Sequence, residues 1–357
     1  MNRIPPEFQV VIPGDRIATY PAVVRAHSRL LVVDRLAGAV VHLGVFSDLV
    51  NFISGDLVVL NETRVIPARV TGQRPGGGRV DILLLPVEEA AGAGATPRAV
   101  RALLKPSNRL KPGMRLALPG GAELTLLSRA PNGWDCLWNL PIQNPKSKIQ
   151  NPLVDWLEDY GLPPLPPYIK RPPEPADRER YQTVYAREPG SLAAPTAGLH
   201  FTPELLAELE RRGCDIVKLT LDVGLGTFQP IRAADLAKHR MEEERYHIPP
   251  ATARAINQAK SSSRRMTMVG TTVVRALESA TKGGEVKAGV GVANLFIHPP
   301  YQFKIIDRLL TNFHRPDSTL LQLVAALAGW ELVNQAYGKA LEAGFRFYSY
   351  GDAMLVL

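Results

Sequence analysis

Acid–base chemistry needs a titratable side chain beside backbone room for a ligand, and residues 193–202, A-A-P-T-A-G-L-H-F-T, have that make-up. Pro195 fixes its own φ and pushes Ala194 towards an extended conformation. Ala197 and Gly198 carry no bulk, so backbone here can come close to another group. Thr202 reads as a helix N-cap and Pro203 as the first helical residue, with E-L-L-A-E-L-E-R-R following and Gly213 as the stop. His200 is thus expected on a tight loop ahead of a helix N-terminus, where N–H groups and the helix dipole favour an anion. That field disfavours imidazolium, and a neutral imidazole can take a proton in one step and return it in another. The same residues also describe a packed turn around one satisfied core histidine, and residue types alone leave both readings open.

Four further stretches carry candidate chemistry. In V-G-T-T-V-V-R, Thr271 and Thr272 can cap a helix whose N–H groups take a carboxylate or phosphate, and Arg275 follows one turn later as a bidentate partner for a carboxylate. The bland alternative is a capped helix with an exposed arginine. T-N-F-H-R-P-D-S-T sets Asn312 and His314 ahead of a helix capped by Ser318. F-Y-S-Y-G-D places Tyr350 and Asp352 at an expected strand end, where an aromatic ring and a carboxylate suit a guanine-like base. In L-T-L-D-V-G-L-G-T-F, Gly224, Gly226 and Thr227 follow a strand as in the adenosylmethionine loop of class I methyltransferases. Phe228 stands where that loop has its third glycine, which makes the methyltransferase signal weak.

Composition narrows the classes. A length of 357 residues suits two domains, each able to bury a core. A net charge of +8 suits an anionic partner, nucleic acid first, although ordinary solubility would give it too. Cys136 and Cys214 stand far apart, which excludes a disulfide framework and a cysteine zinc site and fits a reducing cytosol. The histidines form no H-E-x-x-H or comparable pair, so no metal is expected. No apolar run approaches a membrane span, and no leader pattern opens the chain.

The elements that must position these residues fall into two groups. Strands are expected over 29–34 and 56–60, with a short helix between them. From about 64 to 140 short strand candidates recur at 68–71, 79–85, 99–104, 123–127 and 134–140, separated by glycine-rich breaks such as P-G-G-G and P-N-G. Regular short strands without helices predict a small all-β barrel. Between Pro97 and Gly121 the basic residues Arg98, Arg101, Lys105, Arg109, Lys111 and Arg115 meet no acid, which favours a phosphate-contacting strip over a solvated face. The I-Q-N-P repeat over 142–152 reads as an exposed insertion. L-P-P-L-P-P-Y-I-K-R is a stiff connector ending in Tyr168, Lys170 and Arg171, an aromatic with two cations. Beyond His200 the pattern alternates: strands at 215–221, 266–269, 292–297 and 345–348, helices at 250–260, 272–281, 318–328 and 331–342. This predicts an α/β domain with a mainly parallel sheet and its ligand site at the carboxyl ends of strands. The expected layout is an α/β domain from 1–62 and 153–357 with a small β-barrel domain, 63–152, inserted.

Residues 181–202, Y-Q-T-V-Y-A-R-E-P-G-S-L-A-A-P-T-A-G-L-H-F-T, resemble the S-adenosylmethionine:tRNA ribosyltransferase-isomerase family of the queuosine pathway. G-D-L-V-V-L-N-E-T-R-V-I-P-A-R, L-P-P-L-P-P-Y-I-K-R, V-G-T-T-V-V-R-A-L-E-S, T-N-F-H-R-P-D-S-T-L and F-Y-S-Y-G-D-A-M extend the resemblance over nearly the whole chain. It implies ribosyl transfer from adenosylmethionine to the aminomethyl group of a 7-deazaguanine at the tRNA wobble position. The ribose rearranges to an epoxycyclopentane, and adenine and methionine leave. Such a reaction needs a base beside the sulfonium, a donor for departing adenine, a carboxylate anchor and a pocket for the base, with no metal or redox cofactor. Set against those needs, His200 and Asp222 are the catalytic candidates. Pro195, Thr196, Ala197, Gly198, Gly224, Gly226, Thr227, Thr271, Thr272, Arg275, Asn312, His314, Tyr350 and Asp352 are the expected substrate contacts. Arg64, Arg69, Lys105, Arg109, Lys111, Lys170 and Arg171 are the expected tRNA contacts, in a cytoplasmic monomer. The sequence departs from the family at two places, with Asp222 and Glu242 where histidine is usual, which puts in doubt any role needing imidazole there. A tRNA methyltransferase and a non-catalytic tRNA-binding protein are the competing readings.

Overall fold

The structure, a computed structural model, describes residues 5–85, 98–131, 133–140, 152–224, 226, 231 and 239–357. The chain packs as two compact units, one from 1–64, 166–171 and 180–357 and the other from 65–165 and 172–179. The helix Pro152–Tyr160, which the sequence did not announce, belongs to the second unit.

The larger unit is built on a nine-stranded sheet. In spatial order its strands are Gly289–Ala293, Glu244–Ile248, Asp215–Leu221, Leu57–Asn61, Met266–Val269, Arg308–Asn312, Ala353–Val356, Arg29–Asp34 and Ala39–Val45. The strands from Asp215–Leu221 to Arg308–Asn312 run parallel. Outside them, antiparallel pairs close both sides, and one parallel pair joins Arg29–Asp34 to Ala353–Val356. The sheet is therefore mixed, correcting the expectation of a mainly parallel one. Glu244–Ile248 and Ala39–Val45 enter as antiparallel neighbours of a preceding or following strand, and neither was visible as a strand in the sequence.

Side chains of the central strands are buried on both faces. Leu31, Val33, Leu57, Val59, Met266 and Met268 pack into one core with the helices Pro250–Ser261, Thr271–Ala280, Thr319–Ala328 and Trp330–Glu342. Leu30, Val32, Val58 and Leu60 point the other way, against Phe46, Leu49, Phe201, Leu205 and Leu209. A strand covered on both faces reads as a continuous apolar run, which is why these were legible without alternation. The helix Pro203–Arg211 starts as its sequence dictates, with Thr202 Oγ1 accepting from the Leu205 N–H at 3.2 Å.

Two strand expectations fail. Residues 345–348 are not the last strand: Phe345 and Phe347 bury their rings against Phe313 and Tyr337, and Tyr348 takes φ 73°, which breaks extended backbone. The last strand is Ala353–Val356, buried throughout. The strand expected over 292–297 is Gly289–Ala293.

The smaller unit holds a closed six-stranded antiparallel barrel. Around it run Gly133–Asn139, Arg98–Lys105, Arg79–Leu85, Arg69–Gln73, Arg115–Ala117 and Glu123–Ala130. Inward and outward residues alternate along the strands, as in Arg79–Leu85 where Val80, Ile82 and Leu84 are buried, except in the second half of Glu123–Ala130. Trp138 fills the interior and meets Trp156 at 5.7 Å between ring centroids. Arg115–Ala117 was missed because three residues are too few to show a pattern. No helix among the described residues is long and apolar enough to cross a membrane.

Candidate active site

Parallel strands deliver their carboxyl ends to one edge of the sheet, and the chemistry-bearing residues of the larger unit collect there. Asp222 and Val223 follow Asp215–Leu221, Gly270 and Thr271 follow Met266–Val269, and His314 follows Arg308–Asn312. Two adjoining clefts open at that edge. One is lined by Pro195, Thr196, Ala197, Val223, Thr271 and Thr272, the other by Tyr168, Asn312, Arg315, Ser318 and Tyr348; Thr196, His314 and Leu320 border both. The 193–202 stretch thus meets the helix start at Thr271 although they lie far apart in sequence.

Gly198 is not part of the lining. A side chain there would meet the Tyr185 hydroxyl at 2.1 Å, so its missing Cβ makes room for the protein's own tyrosine rather than for a ligand.

His200 is buried on the short 3₁₀ turn Thr196–His200, its ring stacked on Phe46 at 4.9 Å. Its Nε2 lies 3.2 Å from Asn312 Nδ2 and its Nδ1 lies 2.7 Å from Ser28 Oγ. Asn312 Nδ2 also faces the carbonyls of Tyr348 and Asp352, at 3.3 and 3.4 Å, which fixes the amide with its nitrogen as donor. The imidazole therefore accepts at Nε2 and donates from Nδ1 to Ser28, whose hydroxyl donates to the Arg25 carbonyl at 3.1 Å. Burial, with Arg346 and Arg25 nearby, pushes its pKa down to about 3. Desolvation is the largest cause of that shift. Both ring nitrogens are engaged by protein, which leaves no free lone pair for proton abstraction.

His314 is buried too. Its ring Nε2 lies 2.6 Å from Thr311 Oγ1, its backbone N–H donates to Tyr337 Oη at 2.7 Å, and burial pushes its pKa down to about 3. Thr311 opens the T-N-F-H stretch, but Ser28 and Tyr337, which also hold the two histidines, lie in no motif that the sequence singled out.

Arg275 departs from its expected place. It is buried inside Thr271–Ala280, ion-paired with the buried Glu244 and donating to the Ala293 carbonyl at 3.1 Å. Facing Glu244–Ile248 rather than either cleft, it serves the protein's own carboxylate and not a substrate's. Thr272 Oγ1, in contrast, is buried, borders the first cleft and has no hydrogen-bond partner among the described residues. Gly270 caps this helix at φ 93°, a backbone that its absent side chain permits.

The glycine loop after Leu221 is tied down by acids. Glu244 Oε1 accepts from the Gly224 N–H at 3.1 Å and Glu242 Oε2 from the Gly226 N–H at 3.0 Å. Thr227 lies outside the described residues. Asp222 accepts from Thr63 Oγ1 at 3.0 Å, and burial raises its carboxyl pKa. Thr63 Oγ1 is 2.7 Å from Ser191 Oγ, which accepts from the Val223 N–H at 2.8 Å. Asn61 grips both the N–H and the carbonyl of Leu221 at 3.0 Å. Asn61 and Thr63, which position Asp222, sit in the N-E-T stretch whose chemistry the sequence left unread.

Tyr350 and Asp352 are likewise internal. Tyr350 packs edge-on against Tyr181 at 5.7 Å, and the Asp352 carboxylate accepts from the N–H groups of Arg29 and Arg346 at 2.9 and 2.7 Å. Those bonds employ the carboxylate in shaping the 346–352 turn. In the barrel, neighbouring strands supply acids that the linear strip lacked: Asp135 pairs with Arg101 at 3.0 Å and Glu123 with Arg115 at 3.7 Å. Arg69 forms a two-pronged pair with Asp81 at 2.9 and 2.7 Å. Lys105, Arg109 and Lys111 stay exposed. In the larger unit Arg64 is half-buried, Lys170 is exposed and Arg171 lies over the Tyr20 ring at 4.0 Å.

The sequence model of a family described as "Queuosine biosynthesis protein" matches residues 6–356. The S-adenosylmethionine:tRNA ribosyltransferase-isomerase of Citrifermentans bemidjiense is 49% identical over 350 residues, 98% of each chain. The chain belongs to this family. The similarly named protein of Geobacter metallireducens is 47% identical over 98% of each chain. A crystal structure of S-adenosylmethionine tRNA ribosyltransferase from Thermotoga maritima is similar at 31% identity and a TM-score of 0.55, across 98% of this chain and 100% of that one. Membership in the ribosyltransferase-isomerase family supports neither competing reading, methyltransferase or non-catalytic binder.

Proposed function

We propose that this chain transfers the ribosyl group of S-adenosylmethionine to a 7-aminomethyl-7-deazaguanine at the tRNA wobble position and isomerises it to epoxyqueuosine, releasing adenine and methionine. The observation that carries this reading is the match of nearly the whole chain to the ribosyltransferase-isomerase family. The 193–202 stretch lining two clefts at the sheet's carboxyl edge agrees with it.

In this reading the donor's carboxylate lies at the N-terminal turn of Thr271–Ala280 with Thr272 Oγ1 donating to it. Pro195, Thr196 and Ala197 lie against the nucleoside. Asp222 removes the proton beside the sulfonium, since a carboxylate whose pKa is raised by burial is a stronger base. His200 holds Asn312 in place, and Asn312 Oδ1, buried without a partner among the described residues, accepts from the substrate. Adenosylmethionine is consumed as a substrate, and the chemistry draws on no further cofactor. The protein acts as a cytoplasmic monomer on tRNA.

Mixing the protein with adenosylmethionine and tRNA carrying the precursor base tests the reading. Equimolar adenine and methionine are expected. S-adenosylhomocysteine in their place would transfer the case to the methyltransferase, and tight tRNA binding without adenine would leave a binding module.

A further inference from the structure

Asn61, Glu62 and Thr63 run between two segments remote in sequence, 187–192 and 219–224, and bind both. Glu62 donates its N–H to the Leu219 carbonyl at 2.9 Å, and its own carbonyl accepts from the Arg187 N–H at 2.8 Å. The two segments also join directly, the Leu192 N–H donating to the Val223 carbonyl at 2.9 Å. At the centre of this junction two hydroxyls and a carboxylate stand in a row. Ser191 Oγ accepts from the Val223 N–H at 2.8 Å and lies 2.7 Å from Thr63 Oγ1, which lies 3.0 Å from Asp222 Oδ1. Ser191 and Thr63 are fully buried. The direction of the row follows from which groups can donate. An ionised carboxylate only accepts, so the Thr63 hydroxyl donates to Oδ1. With that hydrogen used, the Ser191 hydroxyl donates to Thr63 Oγ1. Every donor in the row therefore points towards Asp222. Gly190 lies against the same carboxylate, and a side chain there would run into both of its oxygens. Among the described residues no hydrogen bond reaches Oδ2.

We propose that Ser191 and Thr63 are positioning residues of the ribosyl transfer, acting through Asp222: the row of hydroxyls pins Oδ1 and presents Oδ2 as the oxygen that takes the proton beside the sulfonium. In that step the C–H bond breaks, its electron pair stays on the carbon and its proton moves to Oδ2. Oδ1 accepts from Thr63 before and after, so the row keeps its bonds through the step and nothing has to reorient. Val223, whose N–H starts the row, lines the first cleft, which ties the carboxylate to the cleft wall. The row also tunes basicity. Burial raises the Asp222 pKa most, and Glu244 and Glu188 raise it further, whereas the Thr63 hydrogen bond and Arg245 lower it. Without Thr63 the raising causes stand less opposed. The inference rests on Asp222 being the base and adds what holds and tunes it.

The test is single-turnover adenine release across pH in Thr63→Val, Thr63→Ser and Asp222→Asn, with melting temperature and the KM of both substrates measured alongside. A carboxylate base must be ionised, so the parent's rate falls on acidification through the Asp222 pKa. Asp222→Asn should lack that acid limb. Thr63→Val keeps the size of the side chain and removes the donor. Its plateau rate should fall on the order of 10²-fold, as for a displaced catalytic group. Its acid limb should move to higher pH, and both KM values should hold. Thr63→Ser restores the hydroxyl and should bring back both rate and limb. If Thr63→Val is too unstable to assay, Ser191→Ala, which takes the donor away from Thr63 Oγ1, should move the limb in the same direction by less. An acid limb lost in Asp222→Asn but unmoved in the Thr63 and Ser191 variants overturns the positioning role alone and leaves Asp222 the base. An acid limb that survives in Asp222→Asn overturns the base and this role with it. A parent protein that releases no adenine overturns the reaction itself, and both roles fall with it.

Discussion

Ser28 Oγ and His200 Nδ1 lie 2.7 Å apart, and the ring proton that the Asn312 amide keeps off Nε2 is donated to this hydroxyl. With Asn312 donating to Nε2, the ring is a link between two protein groups rather than an open base.

Replacing Ser28 by Ala should therefore act through geometry. It leaves the His200 N–H without its acceptor in a buried place, at a cost of about 1–3 kcal/mol in stability. His200→Asn should retain substrate binding and lose turnover by a smaller factor than removal of the base does, with no change in the pH profile. A pH–rate limb present in the parent and absent from His200→Asn would restore the ring as the titrating group. The pH dependence of stability has a definite sign. His200 and His314 both titrate near 3 when folded and from 6.5 when unfolded. The unfolded chain binds the protons first, so stability is full above about pH 6.5 and falls on acidification from there towards 3. The slope per histidine approaches about 1.4 kcal/mol per pH unit, and His200→Asn with His314→Gln should flatten it in urea unfolding followed by pH.

Asp222 is the proposed base, held by Thr63. Asp222→Asn keeps the shape and the hydrogen bond but removes the proton acceptor. Single-turnover adenine release should fall on the order of 10²–10⁴-fold while both substrates still bind. A near-normal rate would strike Asp222 from the reaction.

Arg275 and Thr272 share one helix and should behave oppositely. Arg275→Ala removes the buried cation from beside the buried Glu244, so the expected loss is about 3–5 kcal/mol of stability, seen in melting temperature. Thr272→Val removes a buried hydroxyl that has no partner among the described residues, so stability should hold or rise. The KM for adenosylmethionine should climb with tRNA affinity unchanged. An Arg275→Ala protein of normal stability with a raised adenosylmethionine KM would return the carboxylate to Arg275.

In the barrel, pairing sorts the basic residues. Lys105, Arg109 and Lys111 replaced together by Ala should weaken tRNA binding and flatten its salt dependence. Arg101→Ala and Arg115→Ala, whose charges Asp135 and Glu123 already offset, should matter less. A triple variant with the parent's salt slope would make the strip an ordinary solvated face.

The sequence alone determined what depends on neighbours in the chain. Thr202 with Pro203 set a helix start, glycine breaks set the barrel's turns, and doubly buried strands such as Met266–Val269 announced themselves as apolar runs. It also placed the chemistry-bearing loops at strand ends and carried the family resemblance in long motifs. Tertiary structure decided who partners whom. Arg275 looked like a substrate anchor until Glu244–Ile248, a strand with no apolar run of its own, brought Glu244 to it. His200 looked like an open base until Ser28, 172 positions away, engaged its Nδ1–H and Asn312 its Nε2. The strip around Lys105 looked unopposed until pairing set Asp135 beside Arg101. Hydrogen bonds and ion pairs act over a few ångströms, and folding rather than chain order determines which groups come that close.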